Sequence, residues 1–156
     1  MEDDIRRAAR VLVVDDDARV LLLRVRESDP PRAYWLTPGG GLDPGETAAG
    51  AAARELAEET GLRVPAAALG APVHRETIRY RGAGRDVVQD QEFFVLRTTA
   101  FAVDTRADPG GLGAAERRTV DGHRWWTRAA LADTAETVYP AVLPDLLDRV
   151  LAESAC

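Results

Sequence analysis

The sequence predicts a layered α/β sandwich, and three observations predict it. Short β-branched runs recur along the chain, separated by turn residues. An alanine-rich helical segment interrupts them around residues 48–60. An apolar stripe at helical spacing closes the chain. Several strands with two or three helices bury their apolar faces best as stacked layers around one core.

The elements follow in order. Residues 10–14 and 19–25 are apolar and β-branched, with Asp15, Asp16 and Asp17 as a turn between them, so the pair reads as a β-hairpin. Residues 27–32 contain Ser28, Asp29, Pro30 and Pro31 and read as a loop. Tyr34, Trp35 and Leu36 form a short strand that enters a glycine turn at Gly39, Gly40 and Gly41. Residues 73–80 and 87–97 read as two strands joined by Arg81, Gly82, Ala83 and Gly84, the second buried toward its C-terminal end. Residues 104–115 are rich in Gly, Asp and Pro and read as a mobile loop. Residues 120–126 form a strand that splits Trp125 and Trp126 between its faces, one inward and one toward a groove. Thr127 caps a short helix over 128–133. Residues 140–153 form an amphipathic helix with Val142, Leu143, Leu146, Leu147, Val150 and Leu151 on its apolar side. With no repeat, linker or second apolar pattern, residues 1–156 read as a single domain.

Composition narrows the function. A chain of 156 residues supports one domain with a real core. The net charge of −6 argues against a nucleic-acid partner, which wants a basic surface. All 20 basic residues are arginine, whose planar fork suits bidentate contact with phosphate. No apolar run approaches the ~18–20 residues of a membrane span, so no membrane partner is expected. The N-terminal segment lacks the apolar core of a secretory signal. Cys156 is the only cysteine, which leaves no internal disulfide and no Cys/His metal site. Cytoplasmic residence is the expectation.

The helical segment carries the chemistry. Thr47 suits an N-cap and Gly61 a C-terminal stop. At about 100° per residue, Ala49, Ala52, Ala53, Leu56 and Thr60 share a packing face. Glu55, Glu58 and Glu59 share an adjacent face at i, i+3 and i+4, with Arg54 one turn before Glu58. Like charges so spaced cost roughly 0.2–0.5 kcal/mol per pair in a solvated helix. A hard divalent cation reverses that sign, and Mg²⁺ is usually held by one or two carboxylates plus substrate phosphates. A solvated acidic face is the plainer reading of such a run taken alone.

Its context is more specific. Gly40, five residues, Glu46, seven residues, and then Arg54-Glu55-Leu56-Ala57-Glu58-Glu59-Thr60-Gly61-Leu62 fill every fixed position of a 23-residue signature. The chain here resembles the Nudix hydrolase family. The resemblance implies a Nudix-type α/β/α sandwich with a mixed β-sheet. It implies hydrolysis of a diphosphate linked to another moiety X, with Mg²⁺, or alternatively Mn²⁺, as cofactor. Carried over residue by residue, it makes Glu55, Glu58 and Glu59 metal ligands, with the Gly39 carbonyl as a further one. Glu55 or Glu58 also acts as, or positions, the base. Arg54 orients the neighbouring carboxylates, and Glu46 contributes through the turn or a water. Gly40 and Gly41 let the backbone approach the substrate closely, which a Cβ would hinder.

Outside the signature the readings are broader. Glu116 is the candidate for the acidic residue that several family members place in a late loop, with Asp121 and Glu92 as rivals. Trp35 is a candidate to stack on a ring of X, against a core position. Arg24, Arg26 and Arg32 precede the signature where substrate-side loops often sit in the family, against plain surface charge. Tyr80 stands eighteen residues after the signature, near a tyrosine associated with some dinucleoside polyphosphate hydrolases. His74 and His123 read as structural strand residues. A nucleoside triphosphate or damaged nucleotide leads among substrates because no added specificity domain is visible. Dinucleoside polyphosphates, ADP-ribose and sugar nucleotides are alternatives, as is a non-catalytic nucleotide-binding module. An isoprenoid diphosphate isomerase would want a reactive cysteine that Cys156 supplies poorly. The expected partner is a small nucleotide-type molecule, and a homodimer fits the family habit.

Overall fold

β1 (Ile5–Val14) is the strand on which the rest of the molecule is assembled. The computed structural model describes residues 5–28, 31–82, 84–105 and 118–154. β1 meets β2 (Val20–Ser28) at a single pair, Val14↔Val20, and the two then diverge. Asp15 holds the turn between them. Its Oδ1 accepts from the Asp17 and Arg19 amides at 3.0 and 2.8 Å, and its Oδ2 accepts from Arg19 Nε at 2.7 Å. The Asp-rich connection is therefore a wired turn, as side-chain oxygens favour.

Beyond this turn the sheet divides into two leaves. β1 carries β6 (Arg85–Arg97) in parallel and β4 (Gly39–Gly41) antiparallel, and β6 carries β5 (His74–Gly82). β2 carries β3 (Pro31–Leu36) and β7 (Arg118–Trp126), both antiparallel, and β3 carries β8 (Val138–Tyr139) in parallel. The sheet is thus mixed, as expected. α1 (Ala48–Thr60) covers one face, and α2 (Arg128–Asp133) and α3 (Leu143–Ser154) cover the other. Among the described residues no helix is long and apolar enough to cross a membrane.

Strand alternation sorts the two cores. Leu12 and Val14 of β1, with Val20 and Leu22 of β2, face α3 through Phe93, Trp126, Leu143 and Leu147. Ala9, Val11 and Val13, with Leu21, face α1 through Ala51, Ala52, Leu56 and Phe94. Both faces of these strands are buried, which explains their near-continuous apolar runs. Trp126 packs inward and Trp125 packs against Phe101 on the α1 side, at 5.6 Å between ring centroids, so the pair does split.

Several boundaries differ from expectation. β1 starts at Ile5, because parallel pairing with β6 runs from Ile5↔Val88 to Val14↔Arg97 and recruits the arginines before residue 10. The expected loop over 27–32 is strand at Glu27, Ser28, Pro31 and Arg32, and residues 29–30 lie outside the described residues. Pairing of Glu27 with Arg32 and a 2.9 Å hydrogen bond from the Tyr34 hydroxyl to Glu27 Oε1 extend the ladder on both sides. Pro31 is tolerated because it opens its strand. α3 begins at Leu143, and Val142 is 40 % exposed, outside the apolar stripe. The loop expected over 104–115 lies outside the described residues from 106 onward.

Candidate active site

α1 is fixed at both ends as its sequence requires. Thr47 Oγ1 accepts from the Gly50 amide at 3.0 Å, and Gly61, at φ 82°, closes the helix through its amide to the Ala57 carbonyl at 2.9 Å. The buried face is Ala51, Ala52, Leu56, Glu59 and Thr60. It is rolled from the expected one, with Ala49 and Ala53 at its margin. The roll changes burial and not spacing: Glu59 turns inward, while Glu55 and Glu58 stay at the rim one turn and one residue away.

Arg54 organises that rim. Its Nη1 donates to Glu55 Oε1 at 3.0 Å and to Glu58 Oε2 at 3.2 Å. Its Nε donates to Glu46 Oε2 at 2.8 Å, and its Nη2 donates to Glu46 Oε1 at 2.9 Å and to the Gly41 carbonyl at 3.0 Å. Glu46 Oε1 also accepts from the Asp43 amide at 2.9 Å, which ties the turn to the helix. The Arg54 hydrogen bonds hold the Glu46 carboxyl below the usual carboxylate range, against a smaller opposing effect of burial. Glu55 moves the other way. Burial pushes its carboxyl up, and Glu58 adds to that, while Arg54 opposes it. The same contacts, the Glu46 hydrogen bonds first, raise the Arg54 guanidinium and keep it charged.

The glycine segment is a strand, β4, which its composition hid. It pairs with β1 through Ala8↔Gly41, Ala9↔Gly40 and Arg10↔Gly39. Its amide at Gly39 donates to Glu59 Oε1 at 2.7 Å. Glu59, a metal ligand by the carry-over, is 8 % exposed and also supports the glycine strand through this bond. A Cβ on Gly40 would stand 2.6 Å from Glu55 Oε1, and one on Gly41 would stand 2.9 Å from Arg6 Nη2. The space that glycine leaves is thus filled by Glu55 and Arg6. Arg10, which sequence reasoning missed, lies buried against Gly39. It donates from Nε to Gln91 Oε1 and from Nη1 to the Thr37 carbonyl, both at 3.0 Å, and its charge also reaches Glu55. Only the register of β1 against β4 and β6 reveals it.

The rim fits a hard cation that asks for few protein ligands. Glu46, Glu55 and Glu58 surround one guanidinium, so negative charge is left over. Among the described residues no three His, Cys, Asp or Glu side chains form a closed metal cage. A pair of carboxylates is nonetheless the usual protein share of a Mg²⁺ site, with waters and substrate phosphates completing it.

The remaining expected residues scatter. Trp35 is 9 % exposed, lies edge-on to Trp126 at 5.2 Å, and donates from Nε1 to Glu136 Oε2 at 3.2 Å. It is a core residue, because β3 pairs between β2 and β8 and buries this position, and the stacking role is withdrawn. Arg26 pairs with Asp121 at 3.4 Å, and Arg24 lies opposite Trp35 and Gly122. No described contact joins either arginine to Glu55 or Glu58. Glu92 is held by Arg7 at 3.7 Å. Glu116 lies outside the described residues. His74 packs against Phe93 at 5.6 Å, in keeping with a structural role.

A mixed sheet between helical layers, with a glycine strand laid against an arginine-centred carboxylate helix, defines an α/β/α sandwich with its candidate site at the strand–helix junction. A family model for the NUDIX domain matches residues 4–146, and the chain belongs to that family. It is similar to an RNA pyrophosphohydrolase of Halorhodospira halophila, 37 % identical over 114 residues, which cover 68 % of this chain and 60 % of that one. It is also similar to a putative 8-oxo-dGTP diphosphatase of Bacillus subtilis, 46 % identical over 55 residues, covering 35 % and 34 % of the two chains. The chain spans less than two thirds of the length of the curated relatives it matches. Among solved structures, a MutT protein from Methanosarcina mazei superposes with a TM-score of 0.63 at 20 % identity, covering 100 % of this chain and 99 % of that one. That likeness establishes the fold.

Proposed function

We propose that this chain is a Mg²⁺-dependent hydrolase of diphosphate bonds, acting on a nucleoside diphosphate linked to a further group. A nucleoside triphosphate or damaged nucleotide is the leading substrate class. The observation that carries the proposal is the grouping of Glu46, Glu55 and Glu58 on the single guanidinium of Arg54 beside β4. The names of two similar proteins, an RNA pyrophosphohydrolase and a putative 8-oxo-dGTP diphosphatase, point to the same bond type.

Each residue has a stated task. Glu55, Glu58 and Glu59, with the Gly39 carbonyl, would hold the cation. When bound, Mg²⁺ neutralises phosphate oxygens and acidifies water. Arg54 keeps the two carboxylates side by side before any ligand arrives, so little reorganisation remains at the moment of reaction. Glu46 fixes Arg54 through two hydrogen bonds and so acts as a positioning residue. Glu59 holds β4 in place through the Gly39 amide. Glu55, buried and raised, and Glu58 remain the two candidates to accept a proton from water.

Purified protein incubated with Mg²⁺ and nucleoside triphosphates, oxidised nucleotides, dinucleoside polyphosphates, ADP-ribose and sugar nucleotides tests the proposal, with products resolved by chromatography. Metal-dependent cleavage at a diphosphate that disappears in Glu58→Gln is the expected result. Full activity in that variant, at unchanged stability, overturns the assigned roles.

A further inference from the structure

On the face of β1 and β6 away from α1, α3 covers one end only. The apolar cluster beneath it includes Leu12, Val14 and Phe93. Toward the other end, the same face carries Arg6 and Arg10 of β1, Gln89 and Gln91 of β6, and Tyr80 of β5. These five side chains form one continuous chain. Arg6 Nη1 donates to the Tyr80 hydroxyl at 3.2 Å, and Tyr80 donates to Gln89 Oε1 at 3.2 Å. Gln89 Nε2 donates to Gln91 Oε1 at 2.9 Å, which also accepts from Arg10 Nε at 3.0 Å.

The polarity of this chain is forced. Arginine has only donors, so Gln91 must turn its carbonyl toward Arg10. Gln89 must then turn its amide nitrogen toward Gln91 and its carbonyl toward Tyr80. Both amide oxygens are consumed inside the array. What it offers outward is donors: the Nε and Nη2 of exposed Arg6, which lie directly over Gly41. Glu76, the nearby carboxylate on this face, has Oε1 3.4 Å from His74 Nε2 with no hydrogen bond between them.

We propose that the Arg6–Tyr80–Gln89–Gln91–Arg10 array is the element that reads the group attached to the diphosphate, and that it selects groups presenting acceptor oxygens. The inference rests on the hydrolase reading for the identity of the substrate, but not for its test. Two sources present such oxygens, the carbonyl edge of an oxo-base and a further phosphate. Adenine carries an amino donor where guanine carries its O6 acceptor, so it forms one fewer hydrogen bond with the array and binds more weakly.

The test is calorimetric binding of the α,β-methylene analogues of guanosine and adenosine triphosphate, with inorganic triphosphate as a base-free probe. The wild-type protein, Arg6→Met and Tyr80→Phe are compared in Mg²⁺. Tighter binding of the guanosine analogue, by roughly 10-fold, is expected for a hydrogen-bonded base contact. Arg6→Met abolishes that preference and Tyr80→Phe weakens it. Loss of affinity equal for both bases and for inorganic triphosphate assigns the array to phosphate instead, within the same acceptor chemistry. Wild-type preference for the adenosine analogue, or affinities unchanged in both variants, overturns the inference. Binding is read without turnover. A protein that binds as described yet cleaves nothing therefore refutes the hydrolase and leaves the array standing.

Discussion

Alanine at Gly39 and alanine at Gly40 should fail in opposite ways. At Gly39 the backbone has φ +148°, and a Cβ would lie 2.3 Å from the Ala9 carbonyl oxygen and 2.7 Å from the Arg10 Cα. These are backbone atoms of the central strand and cannot step aside. Ordinary separation is about 3.5 Å, so β4 would have to move by on the order of 1 Å. Holding a side chain at positive φ costs about 1–2 kcal/mol, and overpacking adds about 1–3 kcal/mol. For a chain of this length, that sum lowers Tm by roughly 4–20 °C. At Gly40 no positive φ is required, and the Cβ meets only the end of the Glu55 side chain, at 2.6 Å from Oε1 and 2.7 Å from Cδ. Turning that carboxyl aside costs about 0.5–1.5 kcal/mol of rotamer strain. It also takes Glu55 out of reach of Arg54, and a displacement of about 1 Å at a reacting group costs on the order of 100-fold in rate. Thermal melting and a metal-dependent hydrolysis assay on the two variants separate the cases. Gly40→Ala melting as low as Gly39→Ala, or Gly40→Ala retaining full activity, would refute this account of the glycine strand.

Other consequences are equally direct. Glu55→Gln should lose activity yet melt no lower than the wild type near neutral pH. A group raised in the fold is most favourable below its ordinary value near 4.5, and its ionised form costs stability once pH climbs past the folded value. The Tm gap between variant and wild type should therefore widen as pH rises through that range and close in acid. Glu46 works with the opposite sign: its lowered carboxyl contributes stability above about 4.5, which is lost as pH falls through the folded value. Glu46→Gln should accordingly flatten the acid limb of a Tm-against-pH curve, and an unchanged limb would remove Arg54–Glu46 from the stabilising contacts. Leu56→Ala and Leu147→Ala, each at a position with no exposed surface, should cost about 2–5 kcal/mol each by denaturant titration. They sit in different cores, so the double variant should show near-additive loss.

The sequence showed what is local. Thr47 and Gly61 bound the helix because capping chemistry acts within a few residues, and both caps form where the residues stand. The apolar runs of β1 and β2 mark strands because alternation is written along the chain. What stayed hidden depends on register between distant segments. β4 is three glycines with no strand preference, and it exists because β1 pairs with it. β8 is two residues long and exists because β3 offers an edge. Arg10 reads as the first residue of an apolar strand, yet its partners are Thr37 and Gln91. Helical spacing places Glu59 beside Glu55 and Glu58, but which of them is buried depends on what packs beneath the helix. Its last turn meets β4, so Glu59 bonds inward to the Gly39 amide.

The position of β1 limits how this protein can change. From Ala8 through Val14 every residue of the strand is buried, with alternate side chains committed to different layers. No site along that stretch is spare, and a substitution that suits one layer shifts a backbone shared with the other. Diversification is left to the periphery: the Arg6 end of the strand and the outer hairpin of β5 and β6. A family built on such a wall can alter its choice of ligand at the margins while the junction that holds Glu55 and Glu58 stays as it is.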